Sequence, residues 1–227
     1  MILRRLFSWC AAPRPVADQK GLLPAADVPL HKHHAPRFTL VEPIAFDDES
    51  DESTPTGDAP RQLLQLHIEL ARIEPAIWRR VVVPDAIPLD KLHKVMQAAM
   101  GWTNSHMHEF KIGHSPVPKR IPLAKILTRA KSFSYLYDFG DNWDHRIEVE
   151  QCLPPQAYPR TPVCLAGANA CPPEDAGGAW GYAAFLEAIS NPRHPEHQAM
   201  LDWCGGAFDP LACNLDAINR RLRRIKL

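Results

Sequence analysis

The sequence has no apolar run long enough to cross a bilayer, no excess of charge of either sign and no regular spacing of cysteines. A membrane-spanning helix needs about twenty consecutive apolar residues, and this chain of 227 residues has no such run. Its 26 Lys and Arg residues balance its 26 Asp and Glu residues, which removes any whole-chain electrostatic argument for nucleic acid or a membrane. The six cysteines are irregularly spaced in a chain large enough to fold without disulfides. We therefore predict reduced thiols in a cytoplasmic protein.

The first part of the chain has the composition of an extension. Its start, MILRRLFSWCAAPRP, lacks the continuous apolar segment of a secretory signal. Proline is frequent in the first sixty residues, which end in the acidic run FDDESDESTPTGDAP, and such segments bury too little apolar surface to offset chain entropy. We predict a disordered extension over residues 1–59 and a folded domain over residues 60–227. The HKHH segment at 31–34 could bind a transition metal weakly, or it is a solvated part of the tail.

Hydrophobic periodicity in the folded part predicts both strands and helices. Alternation of apolar and polar residues predicts strands, and apolar residues at helical spacing predict helices. The predicted strands span residues 64–70, 77–84 and about 107–112, and the predicted helices span residues 88–101, 180–190, 194–204 and 214–227, the last with Asn214 as its N-cap. Residues 151–178 show little periodicity and are interpreted as an ordered, site-forming loop. The fold class is therefore α+β: a small, mostly antiparallel sheet built from hairpins, with helices packed on it and a helical C-terminal segment.

The stretch FSYLYDFGDNWDHRIEVE predicts the central hairpin of this sheet. Aromatic and β-branched residues alternate on both sides of Gly-Asp-Asn, three residue types that suit a tight turn. A three-residue loop at 140–142 keeps both apolar sets on one face of the sheet, whereas a two-residue turn mixes the faces. That register pairs Phe139 with Trp143 and Tyr137 with His145.

The same register places two carboxylates opposite each other, Asp138 and Asp144. Like charges in this arrangement destabilise a sheet, unless Arg146, a bound cation or a shared proton relieves them. One interpretation is two solvated carboxylates beside a turn. The other is that Asp138, Asp141 and His145 line a site.

Histidine and cysteine provide candidate metal ligands. His106 and His108 are two residues apart on a predicted strand and face the same side, as paired ligands can. With His145, Cys164 and Cys171 they form a nitrogen and sulfur donor set that suits a divalent metal such as zinc. However, the two cysteines lack the spacing of strong zinc modules, and they could instead be small buried residues in an irregular loop.

A second interpretation of these residues is catalysis, either by acidic and imidazole groups or by a thiol. The candidate catalytic residues are Asp138, Asp141, His145, Glu174 and Asp175. Cys171 activated by His145 is a metal-free alternative. Glu174 and Asp175 could equally cap the helix that follows them, since carboxylates are favourable at a helix N-terminus.

A third interpretation is a nucleic-acid or protein interaction module without catalysis. Exposed aromatic rings at Trp102, Trp143 and Trp180 could stack on nucleic-acid bases. Phosphate contacts would come from the basic end of the last helix, at Arg220, Arg221, Arg223 and Arg224. A competing role for these arginines is to complement the dipole of their own helix.

Several unusual strings occur together in a fixed order: GWTNSHMHEF, YDFGDNWDH, CLAGANACPPEDAGGAWGY, NPRHPEH and DWCGGAFDP. Over roughly residues 62–225 the chain therefore resembles the plasmid pRi Orf-three-like family, some members of which carry an insertion-element, TnpR-like label. The resemblance implies an α+β domain and a prokaryotic, often mobile-element setting, and it implies no particular activity. A recombinase active site is not implied either, because no comparable N-terminal catalytic segment is present. The matching polar positions are His106, His108, Glu109, Asp138, Asp141, His145, Cys164, Cys171, Glu174 and Asp175. We expect a metal or small-ligand site formed by the YDFGDNWDH hairpin and the CPPED loop.

Overall fold

The computed structural model describes residues 61–128 and 130–227, and this part of the chain forms one seven-stranded sheet and five helices. The strands are β1 (Leu63–Leu70), β2 (Ile77–Pro84), β3 (His108–Ile112), β4 (Ser115–Val117), β5 (Ser132–Tyr137), β6 (Trp143–Leu153) and β7 (Val163–Ala168). The helices are α1 (Leu89–Met100), α2 (Leu123–Leu127), α3 (Gly178–Ser190), α4 (His197–Trp203) and α5 (Leu215–Leu222). The strand order is β4-β3-β5-β6-β1-β2-β7, and every neighbouring pair is antiparallel. The predicted α+β class is confirmed, whereas the predicted extension and HKHH lie outside the described residues.

The central hairpin forms as predicted, but its register is different. Tyr137 pairs with Trp143 and Tyr135 pairs with His145, so five residues rather than three connect β5 to β6. The observed register differs from the predicted one by two residues, and because side chains alternate along a strand, the aromatic residues stay on the buried face. Asp138 leaves the ladder because its backbone is left-handed, with φ of 56°, and its carboxylate accepts hydrogen bonds from the N–H groups that follow it in the turn. The predicted opposition of Asp138 and Asp144 is thus wrong.

The segment interpreted as an irregular loop contains an edge strand, β7, which pairs with β2. Strong period-two alternation is missing from VCLAGA, and sheet pairing decides its conformation. The side-chain amide of Asn219 in α5 accepts from the backbone N–H of Cys164 at 2.8 Å and donates to its carbonyl oxygen at 2.9 Å. Helix α5 therefore occupies part of the outer edge of β7, which limits pairing with another chain.

Helical side chains and the inward face of the sheet share one hydrophobic core. The predicted apolar stripe of α1 is buried, and α1 ends at Gly101, whose φ of 99° suits glycine. Asn214 caps α5 as predicted and accepts from the N–H of Ala217 at 2.9 Å. That helix ends at Leu222 rather than 227, because the N–H groups of Arg224 and Ile225 bond three and not four residues back. In the described part of the chain, none of the helices has the length and apolarity to cross a bilayer.

One buried guanidinium connects four segments of the fold. Arg79 in β2 is 3 % exposed, and it donates to the carbonyl oxygens of Trp78, Ala99, Ala168 and Asn169. These acceptors lie in β2, near the end of α1, at the end of β7 and in the loop that follows β7. No carboxylate forms a salt bridge with Arg79 among the described residues.

Three buried or half-buried histidines, one each in α1, β3 and β6, occupy environments that favour the neutral ring. The His93 and His108 rings stack with centroids 3.5 Å apart and an angle of 4° between their planes. His93 donates from Nε2 to the Asn104 amide oxygen at 2.6 Å and accepts the Tyr135 hydroxyl at Nδ1. Burial lowers the pKa of His93, and it lowers the pKa of His108 and of the fully buried His145 to about 4.

The contacts of Arg79 predict a large loss of stability on its removal. In Arg79→Met the carbonyl oxygens of Ala99, Ala168 and Asn169 lose their donor while buried. We expect the free energy of unfolding to fall by roughly 3–5 kcal/mol, measured by urea denaturation. Arg80→Met is the matched control, because Arg80 forms a partly exposed ion pair with Glu150 and should cost about 1 kcal/mol or less. Equal losses in both variants would contradict this role for Arg79.

The lowered pKa of His145 predicts sensitivity to acid. Below pH 6.5 His145 binds a proton in the unfolded chain, whereas in the folded chain it stays neutral down to about pH 4. The folded state therefore loses stability as the pH falls through this window. This one group contributes about 3 kcal/mol across the window. We expect urea unfolding of His145→Phe to depend less steeply on pH between 6.5 and 4 than that of the natural chain. An unchanged pH dependence of the free energy of unfolding would show that His145 is not the source of the acid sensitivity.

Candidate functional site

Three loops converge on His106 at one end of the sheet. His106 precedes β3, Asp138 begins the β5–β6 turn, and Glu174 and Asp175 lie in the loop between β7 and α3. His106 Nε2 is 3.2 Å from Asp175 Oδ1, 3.6 Å from Asp138 Oδ2 and 3.7 Å from Glu174 Oε2. We call these four residues the carboxylate–histidine cluster.

Each carboxylate of the cluster is oriented by its own contacts or backbone. Glu174 Oε1 accepts from the Thr103 N–H at 2.8 Å and from the Thr103 and Tyr137 hydroxyls at 3.1 Å. Asp138 Oδ1 accepts from two turn N–H groups, which leaves Oδ2 directed toward His106. Asp138 and Asp175 both have left-handed backbones, with φ of 56° and 58°. Non-glycine residues seldom adopt this conformation, and it is concentrated at functional sites.

Tyr137, the buried last residue of β5, contributes a hydroxyl to this site. It donates to Glu174 and accepts from the Ser105 N–H at 3.1 Å. Burial and the nearby Glu174 carboxylate raise the pKa of Tyr137 to about 12, so it remains a hydrogen-bond donor at neutral pH. Sequence reasoning assigned Tyr137 only to the apolar face and missed Thr103. The polar string TNS between Trp102 and His106 is the one feature of the sequence that indicates a hydrogen-bonding segment beside His106.

The predicted catalytic residues are partly brought together. Asp138, Glu174 and Asp175 belong to the cluster, and neither Glu174 nor Asp175 caps the following helix. Instead, Asp141 of the hairpin turn accepts from the N–H of Gly177 at 3.0 Å and joins the turn to the start of α3. His145 is separated from the cluster, since it is fully buried and its Nδ1 bonds the carbonyl oxygens of Tyr135 and Trp143.

The predicted metal ligands are dispersed. Of His106, His108, His145, Cys164 and Cys171, only His106 belongs to a group of metal-ligating side chains within the part of the chain that the structure describes. His108 stacks on His93. Cys171 Sγ contacts Met100 Sδ and Arg79, and Cys164 Sγ contacts a backbone carbonyl. Burial raises the pKa of both thiols to about 11, which disfavours the thiolates that zinc binding or nucleophilic attack by Cys171 requires.

The tryptophans and arginines predicted for an interaction module are only partly exposed. Trp102 and Trp143 are buried, whereas Trp180 is 91 % exposed. Arg221 donates from Nε to the Ala98 carbonyl oxygen at 2.8 Å, and it therefore serves the contact between α5 and α1. The other C-terminal arginines, Arg220, Arg223 and Arg224, are exposed.

Comparisons with known proteins agree with this fold. Residues 62–217 match the family model described as Plasmid pRiA4b ORF-3-like protein. The chain is 42% identical over 174 residues to the Uncharacterized protein y4hQ of Sinorhizobium fredii, a match that covers 70% of this chain and 89% of that protein. It is also similar to the crystal structure of MM3350, a protein of unknown function from Methanosarcina mazei Go1, at 33% identity and a TM-score of 0.64, covering 68% of this chain and 96% of the other. The chain belongs to the plasmid pRiA4b ORF-3-like family.

Proposed function

We propose that the carboxylate–histidine cluster binds a divalent metal ion. The observation that supports this proposal is the approach of three carboxylates to one imidazole nitrogen, within 3.2–3.7 Å. Ligand atoms around an ion with bonds of about 2.1 Å are themselves roughly 3.0–3.4 Å apart, so small side-chain movements would complete such a site. One atom each from His106, Asp138 and Asp175 already lie within 4.8 Å of one another.

The charge of the cluster also supports a cation. Three carboxylates approach one imidazole nitrogen, and like charges at such short distances repel one another unless a cation lies between them. A donor set of one imidazole and several carboxylates suits manganese, iron(II) or zinc. The hydrogen bonds from Thr103 and Tyr137 to Glu174 resemble the outer contacts that orient metal ligands. In this proposal the metal ligands of the chain are His106, Asp138, Glu174 and Asp175, without the cysteines.

Metal titration tests this function directly. We expect the EDTA-treated full-length chain to bind one equivalent of Mn²⁺ or Zn²⁺ in isothermal titration calorimetry, and the ion to raise the midpoint of thermal unfolding. His106→Ala and Asp138→Asn each remove one ligand and should weaken binding by about 100-fold, more than loss of an outer contact does. His114→Ala, at an exposed histidine in the β3–β4 turn, is the control and should bind as the natural chain does. Binding that is absent, or equal in all of these proteins, would reject the site.

Contact with nucleic acid through α5 is a second candidate function. Arg220, Arg223 and Arg224 are exposed at the end of this helix, and none of them forms a salt bridge with another described residue. Their guanidinium groups are free to contact phosphates, although the balanced charge of the chain gives no general attraction.

Salt dependence tests this second candidate. If the three arginines contact phosphates, the logarithm of the binding constant for duplex DNA should fall with the logarithm of salt concentration by about 0.9 per contact. Replacing all three with glutamine should then reduce the slope by nearly three, measured by fluorescence anisotropy. Arg160→Gln is the control, because Arg160 Nη2 donates to the Arg223 carbonyl oxygen at 2.8 Å. It shows whether losing a contact within the protein changes the salt slope as much as losing the three exposed arginines does. A flat salt response would exclude the phosphate contacts.

A further inference from the structure

A surface of cationic side chains surrounds the place where the chain enters the sheet. We call it the basic face, and its members are Lys91, Lys119, Arg120, Lys125, Arg160, Arg223, Arg224 and Lys226. All of these side chains are exposed except that of Lys91, which is half-exposed. None of them forms a salt bridge with a carboxylate of the described residues. Such a concentration of one sign attracts an anionic partner, although the charges of the whole chain balance.

Two of the lysines are positioned by backbone hydrogen bonds to the connection between β2 and α1. The N–H of Ala124 donates to the Asp85 carbonyl oxygen at 2.9 Å, and Lys125 is the next residue. The N–H of Asp90 donates to the Lys119 carbonyl oxygen at 2.7 Å. The start of α2 and the loop before it therefore lie against this connection and place their cations beside it.

The C-terminal cations reach the same place from the other side of α1. The Lys91 ammonium donates to the Lys226 carbonyl oxygen at 2.7 Å, so the segment after α5 lies against the first turn of α1. Arg160, which precedes β7, donates to the Arg223 carbonyl oxygen at 2.8 Å. Both contacts use carbonyl oxygens, which carry no net charge, and the positive charge of this surface is therefore not offset.

The described chain begins at this basic face. The Arg61 N–H donates to Asp85 Oδ1 at 3.2 Å, and the Asp85 N–H donates to the Gln62 carbonyl oxygen at 3.1 Å. Asp85 is buried and Asp90 is half-buried, and neither forms a salt bridge with a described cation. The acidic residues of this connection thus leave the basic face without a partner among the described residues.

The sequence immediately before Arg61 has the opposite charge. We call residues 47–58 the acidic run; it contains no Lys or Arg and six carboxylates, at Asp47, Asp48, Glu49, Asp51, Glu52 and Asp58. Its last carboxylate is three residues from Arg61 and its first is fourteen, a length that spans at most about 50 Å. A tether this short holds a segment at an effective concentration in the millimolar range, so even weak attraction to the basic face is favoured.

We infer that the acidic run docks on the basic face of its own chain and covers it against other polyanions. Opposite charges and the short tether select this occupant, since the two surfaces meet at Arg61. The inference is independent of the proposed metal site. It shares Arg223 and Arg224 with the second candidate function, and a nucleic acid bound there would have to displace the acidic run.

Zero-length cross-linking of the full-length chain tests this contact directly. A carbodiimide joins a carboxylate to a lysine only where the two touch, and mass spectrometry of the monomer identifies the pair. We expect the acidic run to be linked to Lys91, Lys119, Lys125 or Lys226, and these links to be lost at about 0.5 M NaCl, where screening leaves a range of only a few Å. Lys111 is the internal control, because it forms an ion pair with Glu109 and should be linked to that residue alone.

Competition by a free peptide tests whether the face is covered. A fluorescent peptide of residues 46–59 is titrated with the natural chain and with a full-length variant that combines Asp48→Asn, Glu49→Gln, Asp51→Asn and Glu52→Gln. We expect the variant to bind the peptide at least about tenfold more tightly, because its own run no longer competes at high effective concentration. The matched control changes the charge equally at exposed acidic residues elsewhere, with Glu74→Gln, Glu187→Gln, Glu196→Gln and Asp202→Asn. It should bind the peptide as weakly as the natural chain does.

Each contrary result names a different occupant or none. Links from the acidic run spread evenly over all lysines, or a peptide that binds no protein or all three equally, would overturn the inference. Links found only in cross-linked dimers would assign the face to a second copy of the chain. Duplex DNA that binds the natural chain and the neutralised variant with equal affinity would show that the acidic run does not cover the face, and would assign it to nucleic acid instead.

Discussion

The buried guanidinium of Arg79 is the interaction on which the site geometry depends. It joins β2 to the end of α1, to the end of β7 and to the loop that follows β7. The end of α1 leads directly to Thr103, and the loop after β7 leads to Glu174, so one side chain fixes both partners of the Thr103–Glu174 hydrogen bond. Because this guanidinium is bound by carbonyl oxygens and not by a carboxylate, its orientation is set by several weak acceptors at once. The arrangement favours a rigid junction over a strong ion pair.

Electrostatics then distinguishes this end of the sheet from the rest of the molecule. Elsewhere in the described chain, some carboxylates have cationic partners, as in the contacts of Glu150 with Arg80 and of Glu148 with Arg146. At the cluster, by contrast, three carboxylates meet a single imidazole, and two of them occupy left-handed backbone positions. Like charges this close repel one another, and we propose that a bound cation offsets this repulsion.

Short-range patterns predicted the parts of the fold in which one face is clearly apolar. The helix α1, the Asn214 cap and the pairing of β5 with β6 follow from residues close together in sequence, and the structure confirms them. The register of that hairpin did not follow, because turns of three and five residues both keep the aromatic residues inward. Strand β7 was missed because its conformation comes from pairing with β2 and from the amide of Asn219, both distant along the chain.

The sequence by itself determined the fold class and the family, and three of the four carboxylates that it named as candidates meet at His106. It could not decide which imidazole accompanies them. His106, His108 and His145 are equivalent in a pattern of alternating residues, yet one lies among carboxylates, one stacks on His93 and one is sealed in the core. Only the tertiary structure separated them, because the environment of a histidine depends on which distant segments pack around it. For the same reason, the two cysteines predicted as thiolate ligands lie apart, Cys171 against Arg79 and Cys164 against Asn219, where burial raises the pKa of both thiols.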